Sequence, residues 1–270
     1  MKQNINIEQL YVYPLKSSKG QLVDKVQVQT YGFDNDRRVA VIDSKSRVVT
    51  GREHPKLVLL SVELNDSYIA IISPSTLVTF ALPKKRQPIS IKLFRSNILG
   101  IPFRTKANEW VSEHLGGDYR FVYLGDQFRQ IPEKRGGRVG DLTGFVDSSP
   151  VHLVNTLSLD SLNTRLSKKV TIKNFRPNIV VQGNEPFEED QWEKVLINGL
   201  EYRVQERTQR CIFTTVDPNI GKLDETLEPL SSIAGMRSAV GKRPTFGINL
   251  VPSGAGTLNI GNIVEVLTET

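Results

Sequence analysis

Five short stretches of the chain combine turn-forming residues with cationic or hydroxyl side chains, and each borders a segment with strand-like sequence. They are YPLKS at 13–17, DR at 36–37, Asp147-Ser-Ser-Pro150, NFRPN at 174–178 and RCIFTTVDP at 210–218. Strand ends are places where a rigid scaffold presents polar side chains to a ligand. If the stretches converge, Lys16, Arg37, Arg176 and Arg210 form a cationic pocket, which suits phosphate or a planar heterocycle.

Cys211 is the one cysteine among 270 residues. A single cysteine excludes an intramolecular disulfide, a self-contained zinc ribbon and an iron–sulfur site, because each needs several thiols. Two interpretations of Cys211 stay open. It is either a small buried hydrophobic residue or, because Arg210 precedes it, a thiolate that acts as nucleophile or metal ligand. Lys16 and Arg37 taken singly also fit solvated surface charges, and Asp217 fits a turn.

Other common chemical signatures are missing from the sequence. His54, His114 and His152 fall in three different segments, so a histidine zinc site or a Cys–His dyad has little support. Neither a Walker A motif nor a G-x-G-x-x-G motif is present, which removes the commonest nucleotide-binding motifs.

The composition is that of an ordinary globular protein. Hydrophobic residues make up 39% and charged residues 24%, which argues against disorder, collagen and coiled coil. The 35 Lys and Arg against 29 Asp and Glu leave a charge of +6. Spread over the whole chain, this charge is too weak to predict a nucleic-acid partner. Neither a signal-peptide pattern nor a long apolar span occurs, so we expect a cytoplasmic protein without a membrane partner.

The first hundred residues contain short apolar runs separated by turn signals. Strands are predicted at 7–15, 23–30, 38–42, 48–50, 57–64 and 68–72. Short strands in a meander must remove their free edges, so a closed or half-closed β-barrel is the expected N-terminal module. A helix at 107–115 ends at Gly116-Gly117, which marks the expected domain junction.

The second half is expected to be another β-rich module with a few packed helices. Strands are predicted at 148–154, 178–181, 246–251 and 263–267, a helix at 159–166 capped by Ser158 or Asp160, and a hairpin at 195–206 about Asn198-Gly199. The fold class is therefore mainly β, of α+β type. The segment 128–147 has no clear periodicity and carries four cations, so it is either a solvated insertion or a basic flap beside an anionic ligand.

Four motifs carry a family resemblance. They are YPLKSSKG at 13–20, NFRPNIVV at 174–181, RCIFTTVDPNIGKLD at 210–224 and FGINLVPSGAGTLNIGNIVEVL at 246–267. Together they resemble a MOSC protein with its N-terminal β-barrel partner, the group that includes the mitochondrial amidoxime-reducing component and the bacterial YcbX-like proteins. The resemblance implies a MOSC N-terminal β-barrel domain at residues 1–117 and a MOSC β-barrel domain at residues 118–270.

The resemblance also implies a molybdenum cofactor in its molybdopterin form, and no pyridoxal phosphate. Cys211 matches the thiolate that binds molybdenum and serves catalysis. The positions that match cofactor-binding residues of the family are Lys16, Ser17, Arg37, Ser148, Ser149, Arg176, Asn178, Arg210 and Asn249. Because the dithiolene of the cofactor supplies two sulfurs, one protein thiolate is enough.

The implied activity is two-electron reduction of N–O bonds in N-hydroxylated compounds, such as hydroxylaminopurine-like bases or amidoximes, for detoxification. Several bacterial relatives carry a C-terminal iron–sulfur domain, but this chain ends at Thr270 with no cysteine beyond Cys211. We therefore expect a separate electron-donor reductase, either a flavin or an iron–sulfur protein. Asn249 stands where mitochondrial members carry an aromatic residue. The alternative function is a molybdenum-cofactor or sulfur carrier without N-reductive activity of its own.

Overall fold

The computed structural model of the protein describes residues 4–237 and 243–267, and strands dominate these ranges. The strands in chain order are β1 Asn6–Val12, β2 Gln21–Val23, β3 Lys25–Gln29, β4 Gly32–Phe33, β5 Val39–Asp43, β6 Val48–Val49, β7 Ser61–Leu64, β8 Tyr68–Ile72, β9 Leu77–Ala81, β10 Ile89–Leu93, β11 Ser96–Pro102, β12 Tyr119–Tyr123, β13 Arg129–Gln130, β14 Leu142–Thr143, β15 Val151–Asn155, β16 Ile179–Gln182, β17 Lys194–Ile197, β18 Leu200–Gln209, β19 Val216–Asp217, β20 Lys222–Leu223, β21 Thr245–Pro252, β22 Gly256–Asn259 and β23 Val264–Leu267. The helices are α1 Thr105–Leu115, α2 Thr156–Asn163, α3 Ile172–Phe175 and α4 Leu230–Arg237, with 3₁₀ turns at Pro55–Leu59, Glu133–Arg135, Glu188–Gln191 and Ile212–Thr215. The predicted mainly β, α+β fold is confirmed.

An eight-stranded sheet forms the largest layer, in the order β2-β1-β16-β15-β21-β18-β17-β23. Its pairs are antiparallel except β15 with β16, which run parallel. A bridge between Asn6 and Ile263 brings the start of β1 against the chain just before β23. The sheet is therefore strongly curled, although no complete strand ladder closes a barrel in the described part of the chain.

The smaller sheets come mostly from the first half of the chain. One has the order β10-β11-β12-β5-β6, and another is the meander β7-β8-β9. A third has the order β22-β3-β4, so a strand from the second half of the chain completes it by pairing with β3. Strand β1 pairs with β16 in the same way. Backbone hydrogen bonds therefore run between the two sides of residue 117, where the sequence predicts the domain junction.

Most of the predicted elements occur, and the turn chemistry explains them. Gly116 ends α1 with a φ of 73°, the left-handed conformation expected of a C-terminal glycine. Asn198 and Gly199 both have positive φ, 50° and 77°, and they join β17 to β18 as the predicted hairpin turn. Both sequence predictions are confirmed.

Two predicted elements are wrong in part. The strand expected at 57–64 is a 3₁₀ turn up to Leu59 and a strand only from Ser61. The turn begins at Pro55, whose fixed φ suits a helical start, and Leu57 and Val58 are buried as members of this turn. Helix α2 begins at Thr156 rather than at 159. Its N-terminal cap is Asn155, whose side chain accepts from the backbone N–H of Leu157 at 3.0 Å.

The segment 128–147 contains a short hairpin within an otherwise mostly irregular stretch. Strands β13 and β14 pair within it, and Asp141 accepts from the guanidinium of Arg203 on β18. At its tip Val139 is 95% exposed. The segment is thus attached to the large sheet while its far end projects into solvent.

None of the helices in the described ranges is long and apolar enough to cross a membrane.

Glu189 is a fully buried carboxyl that joins helix α2 to the 3₁₀ turn at Glu188–Gln191. Its two oxygens accept from the hydroxyl of Ser158 at 2.9 and 3.0 Å, and one also accepts from the amide of Asn155 at 3.3 Å. Burial, the largest influence, raises the pKa of Glu189 to about 7, even though these hydrogen bonds favour the carboxylate. Ser158, expected to cap the helix, instead serves this contact.

Because Glu189 ionises near 4.5 when unfolded and near 7 when folded, the folded protein binds more protons between these values. The free energy of unfolding should therefore fall as pH rises through this window, by roughly 3 kcal/mol at most from this group. Glu189→Gln should flatten that part of the profile, measured by urea unfolding from pH 4.5 to 8. The exposed Glu225→Gln should keep the wild-type slope. An unchanged slope in Glu189→Gln would contradict the assignment.

Candidate functional site

A single cavity of about 310 Å³ collects the predicted site residues. All ten of them line it: Lys16, Ser17, Arg37, Ser148, Ser149, Arg176, Asn178, Arg210, Cys211 and Asn249. Nine of these residues come from the five stretches at strand ends, and Asn249 comes from the middle of β21. The expectation that the five stretches converge is therefore confirmed, and the role of each residue toward a ligand stays a prediction.

Three of the lining residues have left-handed backbone conformations although none is glycine. The φ angles are 72° at Ser17, 47° at Arg37 and 56° at Arg176. Such conformations are strained for residues with a side chain and persist where the surroundings enforce them, often at functional sites. Here the backbone N–H of Arg37 donates to the carbonyl of Tyr13 at 2.7 Å, and the hydroxyl of Ser17 accepts from the N–H of Gly51 at 2.9 Å.

The cavity is strongly cationic. Its lining carries seven Lys and Arg side chains, namely Lys16, Arg37, Arg52, Arg135, Arg176, Arg210 and Arg243, against the carboxylates of Asp147 and Glu206. Burial lowers the pKa of both Arg176 and Arg210 to about 10, so both remain protonated at neutral pH. Within the part of the chain that the structure describes, Nη2 of Arg176 and Nε of Arg210 are buried without a hydrogen-bond partner. Unpartnered buried donors of this kind call for an anionic acceptor.

Asp147 connects two of these cations. Its carboxylate accepts from Nζ of Lys16 and from the guanidinium of Arg52. Although burial acts to raise it, the charges of Lys16 and Arg52 hold the pKa of Asp147 well below its usual range. Nζ of Lys16 also donates to the carbonyl of Phe145 at 2.7 Å. Asp147 is therefore ionised at neutral pH and holds Lys16 and Arg52 beside each other.

Cys211 is half-buried and follows the end of β18. Its sulfur accepts from Nε of Arg52 at 3.2 Å. Arg210, which the sequence suggested as the assisting cation, donates instead to the carbonyl of Phe175 at 2.9 Å. The cation in direct contact with the thiol is thus 159 residues away in sequence.

One wall of the cavity is a hydrogen-bonded polar network. The carboxylate of Glu206 accepts from the hydroxyl of Ser148 and, at 3.3 Å, from the amide of Asn249. The hydroxyl of Thr208 donates to the amide oxygen of Asn249 at 2.9 Å. Glu206 and Thr208 lie where β18 has two register shifts against β21, and such bulges re-aim side chains. The hydroxyl of Ser149 donates to the side-chain oxygen of Gln205, which also lies in β18.

Asn178 uses its side-chain amide entirely within the protein. Its oxygen accepts from Arg37 at 3.0 Å and from the backbone N–H of His152 at 3.2 Å, and its nitrogen donates to the carbonyl of Tyr11 at 3.1 Å. Only 1% of the residue is exposed. The geometry therefore makes Asn178 a support for Arg37 rather than a free donor.

The sequence motifs missed several lining residues. Arg52 follows β6 and was in none of the five stretches, although a cation just beyond a strand is the signal used for the others. His152 also lines the cavity, and its Nε2 is buried without a partner. Burial, together with the charges of Arg210 and Arg37, lowers the pKa of His152 well below its usual value, so its imidazole is neutral. Glu206 and Thr208 also line the cavity, and their place there depends on the bulged pairing of β18 with β21.

No three His, Cys, Asp or Glu side chains within 4–237 and 243–267 come together in a way that could hold a metal ion. The soft donor that the cavity offers is the sulfur of Cys211.

Comparison with known proteins gives the family. Residues 138–265 match the MOSC domain model, and residues 4–118 match that of the MOSC N-terminal beta barrel domain. Mitochondrial amidoxime reducing component 2 of Bos taurus is 33% identical over 292 residues, which cover 100% of this chain and 85% of that protein. Mitochondrial amidoxime-reducing component 1 of Homo sapiens is 31% identical over 287 residues, covering 99% and 84%.

Among solved structures, the YUAD protein from Bacillus subtilis aligns over 100% of this chain and 99% of its own, with a TM-score of 0.46 and 10% identity. The two amidoxime-reducing components match nearly the whole chain in sequence, and these matches identify the family. The chain belongs to the family of MOSC-domain proteins that includes the mitochondrial amidoxime-reducing components.

The ion pair of Asp147 gives a stability prediction. Asp147→Asn keeps the shape of the side chain but leaves Lys16, whose side chain is 7% exposed, without its counter-charge. Because Asp147 itself is 45% exposed, we expect a loss of about 1–3 kcal/mol in the free energy of unfolding rather than the full cost of a broken buried pair. Urea unfolding measures it.

Asp217→Asn is the matched control. The partner of Asp217 is Lys168, whose side chain is 76% exposed, so this variant should change stability by less than about 0.5 kcal/mol. Equal effects of the two substitutions would show that the Lys16–Asp147 pair has no special weight.

Proposed function

We propose that the protein binds a molybdenum cofactor in its molybdopterin form in this cavity and reduces N-hydroxylated compounds. The observation that carries the proposal is that the chain's one cysteine opens onto the same cavity as the buried, unpartnered guanidinium nitrogens of Arg176 and Arg210. A thiolate suits molybdenum, and the guanidinium groups suit a phosphate. Membership in a family with amidoxime-reducing relatives supports the same activity.

The cavity fits such a cofactor in size and in donor chemistry. About 310 Å³ is within the usual range for small-molecule sites. The seven lining cations outnumber the two carboxylates, which favours a phosphate-bearing ligand. Lys16, Ser17, Arg37, Arg176 and Arg210 would hold the phosphate and the pterin, while Cys211 would supply the protein thiolate.

Each residue has a physical task in this proposal. Arg52 orients the sulfur of Cys211 by its 3.2 Å hydrogen bond and is itself held by Asp147. Although burial acts to lower it, the charges of Asp147 and Cys211 raise the pKa of Arg52, so it stays cationic. Asn178 fixes Arg37. Glu206 and Thr208 fix Asn249 and thereby shape the wall beside it.

The cofactor supplies the two-electron chemistry that breaks the N–O bond. In the overall reaction an N-hydroxylated amine takes up two electrons and two protons and yields the amine and water. The electrons come from a separate donor protein, for which a flavin or iron–sulfur reductase is proposed. As Asp147 is ionised at neutral pH, its task is ion pairing rather than proton donation. Substrates of the proposed class are hydroxylaminopurine-like bases and amidoximes, reduced for detoxification.

Turnover of 6-hydroxylaminopurine by fully molybdenum-loaded protein, driven by an artificial electron donor, tests this activity. Absence of turnover at full loading would leave the carrier function, in which the chain binds the cofactor or transfers sulfur without reducing substrates.

A cytoplasmic location and the absence of membrane and nucleic-acid partners complete the proposal. The named relatives are mitochondrial proteins, and cell fractionation tests the location.

Cys211→Ser should abolish N-reductive turnover, by at least about 100-fold, because the hydroxyl is a poor replacement for a soft thiolate ligand. Pterin content should stay within about twofold of wild type, since the phosphate is held by other residues. Steady-state turnover and fluorescence assay of released pterin measure the two quantities. Wild-type turnover in this variant would remove Cys211 from the mechanism.

Arg176→Ala should instead lower cofactor loading. The substitution removes a buried guanidinium that has a free donor, so the molybdenum-to-protein ratio should fall at least about fivefold. Arg47→Ala is the control, because Arg47 pairs with Asp43 on the surface and its side chain is 61% exposed. Equal loading of the two variants would contradict the role of Arg176.

A further inference from the structure

Tyr13 belongs to the YPLKS stretch, but neither the ion pairs nor the cofactor contacts described above use it. It follows β1 directly, and 2% of the residue is exposed. The guanidinium carbon of Arg37 lies 4.2 Å from the centroid of its ring, and that of Arg176 lies 4.3 Å from the same centroid. Two cations from distant parts of the sequence thus share one aromatic ring.

The two arginines are compensated unequally. Arg37 pairs with the carboxylate of Asp36 and donates to Asn178. Arg176 has no carboxylate within ion-pair distance among the residues that the structure describes, and it donates to the carbonyl of Ser18 while its Nη2 has no partner. Aromatic rings attract guanidinium groups most strongly where water is excluded. The ring of Phe213 also faces this guanidinium, but at 5.4 Å from its centroid, so the ring of Tyr13 at 4.3 Å is the nearer of the two aromatic partners of Arg176.

Tyr13 is also held in place by two hydrogen bonds that do not involve the guanidinium groups. Its hydroxyl donates to the carbonyl of Pro177 at 3.0 Å, and its backbone N–H donates to the carboxylate of Asp36 at 2.8 Å. Arg37 in turn donates from Nη2 to the carbonyl of Arg176 at 3.2 Å. These bonds fix the ring and the two left-handed arginines as one unit.

We propose that Tyr13 is a positioning residue whose ring holds Arg37 and Arg176 together against their mutual repulsion, so that the cofactor-free protein already has a binding site for a phosphate-type dianion. A dianion would take the free donor of Arg176 and balance the excess positive charge. This inference rests on the proposed function only in naming phosphate as the anion. It assigns to Tyr13 an electrostatic task that an aliphatic side chain would not perform.

Ring fluorination separates this task from packing. Fluorine weakens the negative potential on the ring face while nearly preserving ring size, so the fold is retained. Tyr13→Phe should bind inorganic pyrophosphate within about threefold of wild type in calorimetry of the cofactor-free full-length chain, because the ring remains. Replacing that phenylalanine by mono-, di- and trifluorophenylalanine should weaken binding stepwise, to about tenfold in all.

Tyr11 provides the matched control. It is 7% exposed, its ring centroid is 6.2 Å from that of Tyr13, and its hydroxyl donates to Gln9. No guanidinium lies over its ring in the described ranges. Tyr11→Phe and the same fluorinated series at position 11 should leave pyrophosphate binding unchanged.

The outcomes are distinct. A graded loss at position 13 with none at position 11 supports the inference. A flat series at position 13, or no pyrophosphate binding by the wild-type chain, overturns it. Molybdenum content after expression in a cofactor-producing host reports on the proposed function separately. A graded series in a protein that never acquires molybdenum would refute the cofactor and leave the role of Tyr13 standing.

Discussion

The structure depends on one electrostatic constraint, which is the gathering of several cations around a cavity of about 310 Å³. Arg176 and Arg210 lie close enough to the interior that burial lowers their pKa, and like charges so placed repel one another. The protein meets this cost with a small set of compensating groups: Asp147 between Lys16 and Arg52, Asp36 beside Arg37, and the ring of Tyr13. In the described part of the chain, Nη2 of Arg176 and Nε of Arg210 keep no partner, and a phosphate-bearing ligand would use these donors.

The sheet topology makes this gathering possible. Lys16 and Arg37 come from the first forty residues, whereas Arg176 and Cys211 come from the second half. Pairing of β1 with β16 places the end of β1 beside the loop that carries Arg176. Left-handed backbone at the arginines and bulges in β18 then turn the side chains toward a common point. Local irregularities, rather than the regular strands, determine where the charges meet.

The cavity-lining residues at strand ends could be predicted from the sequence because turn-forming residues beside apolar runs are a local signal. Sequence-based prediction also identified Cys211 by its uniqueness and the hairpin at Asn198-Gly199 by its turn type. It missed the contact of Arg52 with Cys211 because that contact joins residues 159 apart, and no local pattern encodes such a distance. It misplaced the start of α2 because Asn155 caps the helix from the end of a buried strand. The division at residue 117 stays a prediction, since strand pairs cross it.

The long-range strand pairs have a consequence for synthesis on the ribosome. Strand β1 has a local partner in β2, but its other edge pairs with β16 only when residues up to Gln182 have emerged. Strand β3 pairs locally with β4, whereas its second edge waits for β22, which ends at Asn259. One edge of β1 and one edge of β3 therefore remain unpaired until residues far along the chain have been made. Such non-local pairing slows folding and prolongs the exposure of apolar strand edges. The nascent chain consequently depends on β16 and β22 to cover the second edges of β1 and β3.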